Sequence, residues 1–94
     1  MKKYIIKFTE EAKKKIKKLD PPIKLVIKKA IESLAENPNR GKPLSHELAG
    51  LYSLRISDYR IIYRIKGEVL VIIVITVGHR REIYKKLKAL IDRE

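Results

Sequence analysis

The spacing of apolar residues changes period three times along the chain, from two to helical, back to two, and to helical again. Lys3–Phe8 alternates and predicts a first strand. Thr9 follows as an N-cap, with Glu10 and Glu11 in the first turn, where acidic side chains suit the helix dipole. Ala12, Ile16 and Leu19 recur at helical spacing and predict a lysine-rich amphipathic helix. Asp20-Pro21-Pro22 stops that helix and starts a second, with Asp20 capping and Pro21 at the first helical position. Ile23, Val26, Ile27, Ala30, Ile31 and Leu34 draw one apolar face on the second helix, which ends near Asn37-Pro38; Asn39–Pro43 reads as loop.

From Leu51 the period is two. Tyr52, Leu54 and Ile56 alternate with Ser53, Arg55 and Ser57, and Tyr59, Ile61, Tyr63 and Ile65 alternate with Arg60, Ile62, Arg64 and Lys66. Gly67 marks a turn, and Val69–Val77 is β-branched enough for a central strand. After Gly78 a helical face returns in Ile83, Leu87, Leu90 and Ile91. The order β-α-α-β-β-β-α predicts one α+β domain over residues 1–94. Its mainly antiparallel four-stranded sheet is packed by two N-terminal helices and a C-terminal helix.

A two-residue loop at Ser57-Asp58 fixes a register. Residue 56 then pairs with 59, 55 with 60, 54 with 61 and 52 with 63. Tyr52, Leu54, Ile56, Tyr59, Ile61 and Tyr63 share the core face, and Arg55 stands directly opposite Arg60 on the other. Like charges so placed are destabilising. Either an anion sits between them or the two lean apart into solvent. A two-residue turn at Lys66-Gly67 or Gly67-Glu68 puts Val71, Ile73, Ile75 and Val77 on the Arg60 side. His79 follows them there unless the turn is odd or Gly78 bends the chain. Arg80 and Tyr84, four apart at the start of the last helix, face one way. Arg55, Arg60, Arg80 and Tyr84, with His79, are thus able to converge at one edge of the sheet.

Charge gives this convergence a meaning. The net charge is +12, which predicts attraction to polyanions, nucleic acid first. A lysine-rich surface of the heat-adapted kind is the plainer, second account of the lysines. The arginines are different, because they all lie from Arg40 onward while the chain before them carries only lysine. Guanidinium forks match phosphate oxygens and keep their charge. Cysteine is absent, and His46 and His79 have no metal-ligand spacing, so thiol chemistry and a metal enzyme are not expected. The longest apolar run is too short to span a bilayer, and the Met1-Lys-Lys start is not a signal sequence. A cytoplasmic chain is expected.

No serine-histidine-acid set, glycine-rich phosphate loop or carboxylate pair is present. Arginines with a tyrosine and a histidine suit metal-free RNA cleavage, in which the RNA's own 2′-hydroxyl attacks phosphorus. The same residues suit a non-catalytic nucleic-acid-binding module. Each also has a plainer role: His79 as a capping or surface histidine, Tyr84 as a core-edge aromatic, Arg64 and Arg81 as solvated charges. Tyr4 and Phe8 read as core, and His46 beside Glu47 as structural.

"GKPLSHELAGLYSLRISDYRIIYRI", followed by a hydrophobic strand and "VGHRREIY", resembles the RelE branch of the RelE/ParE toxin superfamily, over nearly the whole chain. The resemblance implies a toxin that enters the ribosomal A site and cleaves messenger RNA by 2′-hydroxyl attack, with no cofactor. It also implies a cognate antitoxin that wraps the toxin. Arg60 matches the arginine that stabilises the transition-state phosphate, Arg80 an arginine near the scissile phosphate, and Tyr84 the tyrosine that orients the nucleotide. Arg55, Arg64, Arg81 and Ser53 are the expected RNA-binding positions. Some members carry lysine where this chain has Ser53, and others a glutamate near Leu44. The usual general base is therefore missing, and His79 is the substitute in view. Two alternatives stay open: a ParE-like toxin that poisons gyrase by protein contact, and a non-catalytic RNA- or ribosome-binding domain.

Overall fold

The computed structural model describes residues 3–92. Strand β1 (Ile5–Phe8) leads into α1 (Glu10–Lys17) and α2 (Pro21–Leu34). A short 3-10 turn, Pro38–Arg40, precedes the two-residue β2 (Lys42–Pro43). A second such turn, His46–Leu48, leads to β3 (Tyr52–Ile56), β4 (Tyr59–Lys66), β5 (Val71–His79) and α3 (Ile83–Asp92). The fold class is α+β, as the sequence predicts.

The sheet has five strands rather than four, in the order β1-β5-β4-β3-β2. The addition is β2, which lies where a loop was expected and pairs Lys42 with Ser53 and Pro43 with Tyr52. Proline survives there because an edge strand can spare a donor. Strand β1 pairs parallel with β5, Ile5 opposite Val71 to Phe8 opposite Val74, so the sheet is mixed but mainly antiparallel. The β3–β4 hairpin has the expected register, including Arg55 opposite Arg60. Its turn is made possible by Ser57, which takes a left-handed φ of 56°.

The β4–β5 connection departs from expectation twice. Lys66 pairs with Val71, so the loop is the four residues 67–70 rather than two. An even loop keeps the expected side for Ile73, which pairs with Arg64. Then the register shifts between Ile62 and Tyr63: Tyr63 pairs with Val74, but Ile62 with Thr76. Ile75 is the extra residue of a β-bulge, and everything beyond it changes side. Val77 enters the core opposite Ile61, and His79 comes to lie opposite Tyr59. The Thr9 hydroxyl joins α1 to this bulge. It accepts from the Ala12 amide at 3.0 Å and donates to the Ile75 carbonyl at 2.6 Å. By contrast, Asp20 occupies the N-cap of α2 without a side-chain cap bond.

Both faces of the sheet are covered. On one, Ala12 and Ile16 of α1 and Ile27, Ala30, Ile31 and Leu34 of α2 pack on Leu54, Ile61, Tyr63, Ile72, Val74 and Val77. Val26 is 47% exposed and Phe8 38%, so neither is the core residue the pattern suggested. Tyr4 does pack against this core. On the other face, Leu51, Ile62, Ile83 and Leu87 form a second cluster, with Leu44, Leu48, Ile75 and Tyr84 around it. A Cβ on Gly78 would stand 2.8 Å from Cδ1 of Ile83, so a bare backbone there lets α3 close on the sheet. The side chains of Leu90 and Ile91 lie outside the described residues.

Candidate active site

The second face carries the site. The β3–β4 register sends Ser53, Arg55, Arg60 and Ile62 to that side, and α3 brings Tyr84 down onto it. Arg60 is half-buried. Its Nη1 donates to Ser53 Oγ at 3.4 Å, and its guanidinium carbon lies 5.6 Å from the Tyr84 ring centre, within cation–π range. The Tyr84 hydroxyl reaches the same Ser53 Oγ at 3.2 Å. Arg60 Nε is enclosed and has no hydrogen-bond partner. A buried donor left open costs stability unless something else uses it, and such groups gather at functional sites.

Arg80 is held at the end of the same hairpin. Its amide donates to the Asp58 carbonyl at 2.7 Å, and its Nε lies 3.7 Å from Asp58 Oδ1. Arg55 is exposed, with Nε 3.4 Å from the Ser57 carbonyl. The arginine pair therefore splits. Arg60 turns inward to Ser53 and Tyr84, while Arg55 turns toward its own turn. That is how the sheet tolerates two cations placed opposite each other.

His79 does not join them. The bulge puts it on the Tyr59 side, with the two rings edge to face at 5.7 Å. Its Nδ1 accepts from the Arg81 amide at 3.3 Å and its carbonyl from the Glu82 amide at 3.0 Å, so it caps the turn into α3. Arg81 is exposed on that turn. Arg64 is exposed on the Arg60 face of β4, four residues or about 13 Å along the strand. Sequence reasoning missed the junction role of Ser53 and the anchoring of Arg80 by Asp58. The first was legible in principle, since residues 53 and 60 are diagonal neighbours in the register. The second depends on where the chain goes after Gly78. Among the described residues, no three His, Asp or Glu side chains gather as a metal site, and no helix is long and apolar enough to cross a membrane.

Chemically, the cluster offers a cation whose fork is partly unused, a phenol and a hydroxyl, side by side and mostly shielded from water. Such a set binds an oxyanion and can donate a proton; it contains no evident base.

Comparison with known proteins leads to one group. The family described as the ParE toxin of type II toxin-antitoxin system, parDE, matches residues 6–84. Toxin RelG of Mycobacterium tuberculosis is 40% identical over 85 residues, spanning 88% of this chain and 98% of that protein. The mRNA interferase toxin RelE of Escherichia coli K12 is 32% identical over 91 residues, spanning 88% and 92%. Among solved structures, the toxin-antitoxin complex RelBE2 from Mycobacterium tuberculosis is similar with a TM-score of 0.76 and 39% identity, over 83% of this chain and 99% of that one.

Proposed function

The chain belongs to the RelE/ParE toxin superfamily of type II toxin–antitoxin systems, in its RelE-like branch, and from that premise we propose that it is a ribosome-dependent endoribonuclease. It works in the cytoplasm, cuts messenger RNA in the ribosomal A site, and is held inactive by a cognate antitoxin protein. The observation that carries the nucleolytic reading is the meeting of Arg60 and Tyr84 at Ser53.

The reaction forms a bond from the 2′-oxygen to phosphorus and breaks the bond to the 5′-oxygen. One proton leaves the 2′-hydroxyl and one is delivered to the departing 5′-oxygen. Charge accumulates on the non-bridging oxygens, and Arg60 is the group poised to balance it. Its open Nε gains an acceptor if the guanidinium turns toward a bound phosphate. Arg80 supplies a second charge from the hairpin end after exchanging Asp58 for phosphate. Tyr84 donates to a phosphate or leaving oxygen and offers a ring for stacking. Arg55, Arg64 and Arg81, all exposed, grip the backbone of message or ribosomal RNA. His79 faces away, so the reaction relies on alignment by the ribosome and on charge stabilisation more than on a histidine base.

The test is a purified translation system programmed with a defined message. Codon-positioned cuts that require ribosomes are expected, reduced by about a hundredfold or more in Arg60→Ala. Cuts that persist without ribosomes contradict the A-site mechanism. An intact message alongside inhibited gyrase supercoiling selects the ParE-like alternative instead.

A further inference from the structure

Ser53 is 3% exposed, in a strand paired on both sides. Its hydroxyl touches two side chains, and they are the two on which the nucleolytic reading depends. We infer that Ser53 is a positioning residue of the cleavage site, whose hydroxyl oxygen accepts from both the Arg60 guanidinium and the Tyr84 phenol and so fixes the phenol beside the cation. The inference rests on the nuclease reading above for its functional consequence, though not for the contact itself.

A guanidinium N–H only donates, so Ser53 Oγ is the acceptor from Arg60. The Tyr84 hydroxyl donates to the same oxygen, so Ser53 Oγ accepts from both side chains. The cation and the phenol are thereby held on one hydroxyl, with the guanidinium against the phenol ring. Ser53 has no basic neighbour in the cluster and does not act as a proton acceptor toward substrate. What it supplies is geometry. The separations of 3.2 and 3.4 Å are long for hydrogen bonds, as such contacts often are before substrate arrives, and an anion drawing on Arg60 tightens the cluster.

Four variants test this in single-turnover cleavage of ribosome-bound message: Ser53→Ala, Ser53→Thr, Tyr84→Phe and the Ser53→Ala/Tyr84→Phe pair. Ser53→Ala is expected to lower the rate at saturating ribosome about tenfold with half-saturation unchanged, and Ser53→Thr, which keeps the hydroxyl, to restore it. In the Tyr84→Phe background, Ser53→Ala is expected to cost little more, because the coupled group is already gone. Losses that multiply independently, or a Thr variant as slow as Ala, overturn the assignment. A second readout does not need cleavage. In free protein with ring-labelled tyrosine, the Tyr84 Cζ resonance is expected to move in Ser53→Ala and stay in Ser53→Thr. A Tyr84 resonance unmoved by Ser53→Ala overturns the coupling even in an active nuclease. A resonance that moves in a wild-type-inactive protein upholds the coupling and refutes the nuclease reading.

Discussion

Tyr63 is fully buried in the core that α1 and α2 make with the sheet. Its hydroxyl donates to the Pro38 carbonyl at 2.7 Å and accepts from the Gly41 amide at 2.9 Å, tying the loop before β2 to the sheet centre. Gly41 is kept for closeness, since a Cβ there would stand 2.6 Å from that hydroxyl. Burial raises the Tyr63 pKa above its ordinary value of 10.0, and the Gly41 bond offsets part of the rise. The folded protein therefore holds the phenol proton more tightly than the unfolded chain. The associated stability is complete below 10.0 and is lost as the pH climbs through the folded-state value. Tyr63→Phe is expected to cost about 1–3 kcal/mol at neutral pH, by stranding the Gly41 amide and Pro38 carbonyl. The variant should also lose less stability than the wild type between neutral pH and roughly pH 11, as read from urea midpoints. A parallel alkaline decline in both proteins would sink this account.

At the scale of elements, the bulge in β5 decides which residues meet. Its stray Ile75 carbonyl is taken up by Thr9, so an N-cap at one end of α1 also braces the irregularity. Thr9→Ala is expected to cost about 1–2 kcal/mol in a denaturant titration, with Thr9→Ser close to wild type. Equal losses in both would mean that the hydroxyl is not what matters. The same bulge marks the boundary of what the sequence could convey. The β3–β4 register was readable from alternation alone, because one face had to be apolar. Arg60 and Tyr84 followed from it once α3 was laid on that face, whereas Ser53 as their junction was legible in the same register but not predicted. His79 did not, because one extra residue reverses every side chain after it and a run of Val, Ile and Thr gives no sign of where the extra one lies. Strand β2 escaped for a related reason: two residues are too few to show a period.

For the whole molecule, charge is divided between the two sides. Lys13, Lys17, Lys24 and Lys28 belong to α1 and α2, Arg55, Arg60 and Arg64 to the β3–β4 hairpin, and Arg80 and Arg81 to the approach to α3. Binding to ribosomes should therefore weaken with salt, and Arg64→Ala or Arg81→Ala should each reduce the slope of log affinity against log salt by about one. A slope unchanged in both variants would remove them from the RNA contact. The topology has a consequence in time as well. Strand β1 is made first, yet its neighbour in the sheet is β5, residues 71–79. During synthesis the first strand waits for the last, and the Tyr84 that meets Arg60 at Ser53 comes later still. The Arg60–Ser53–Tyr84 contact therefore cannot form until the last helix has been made.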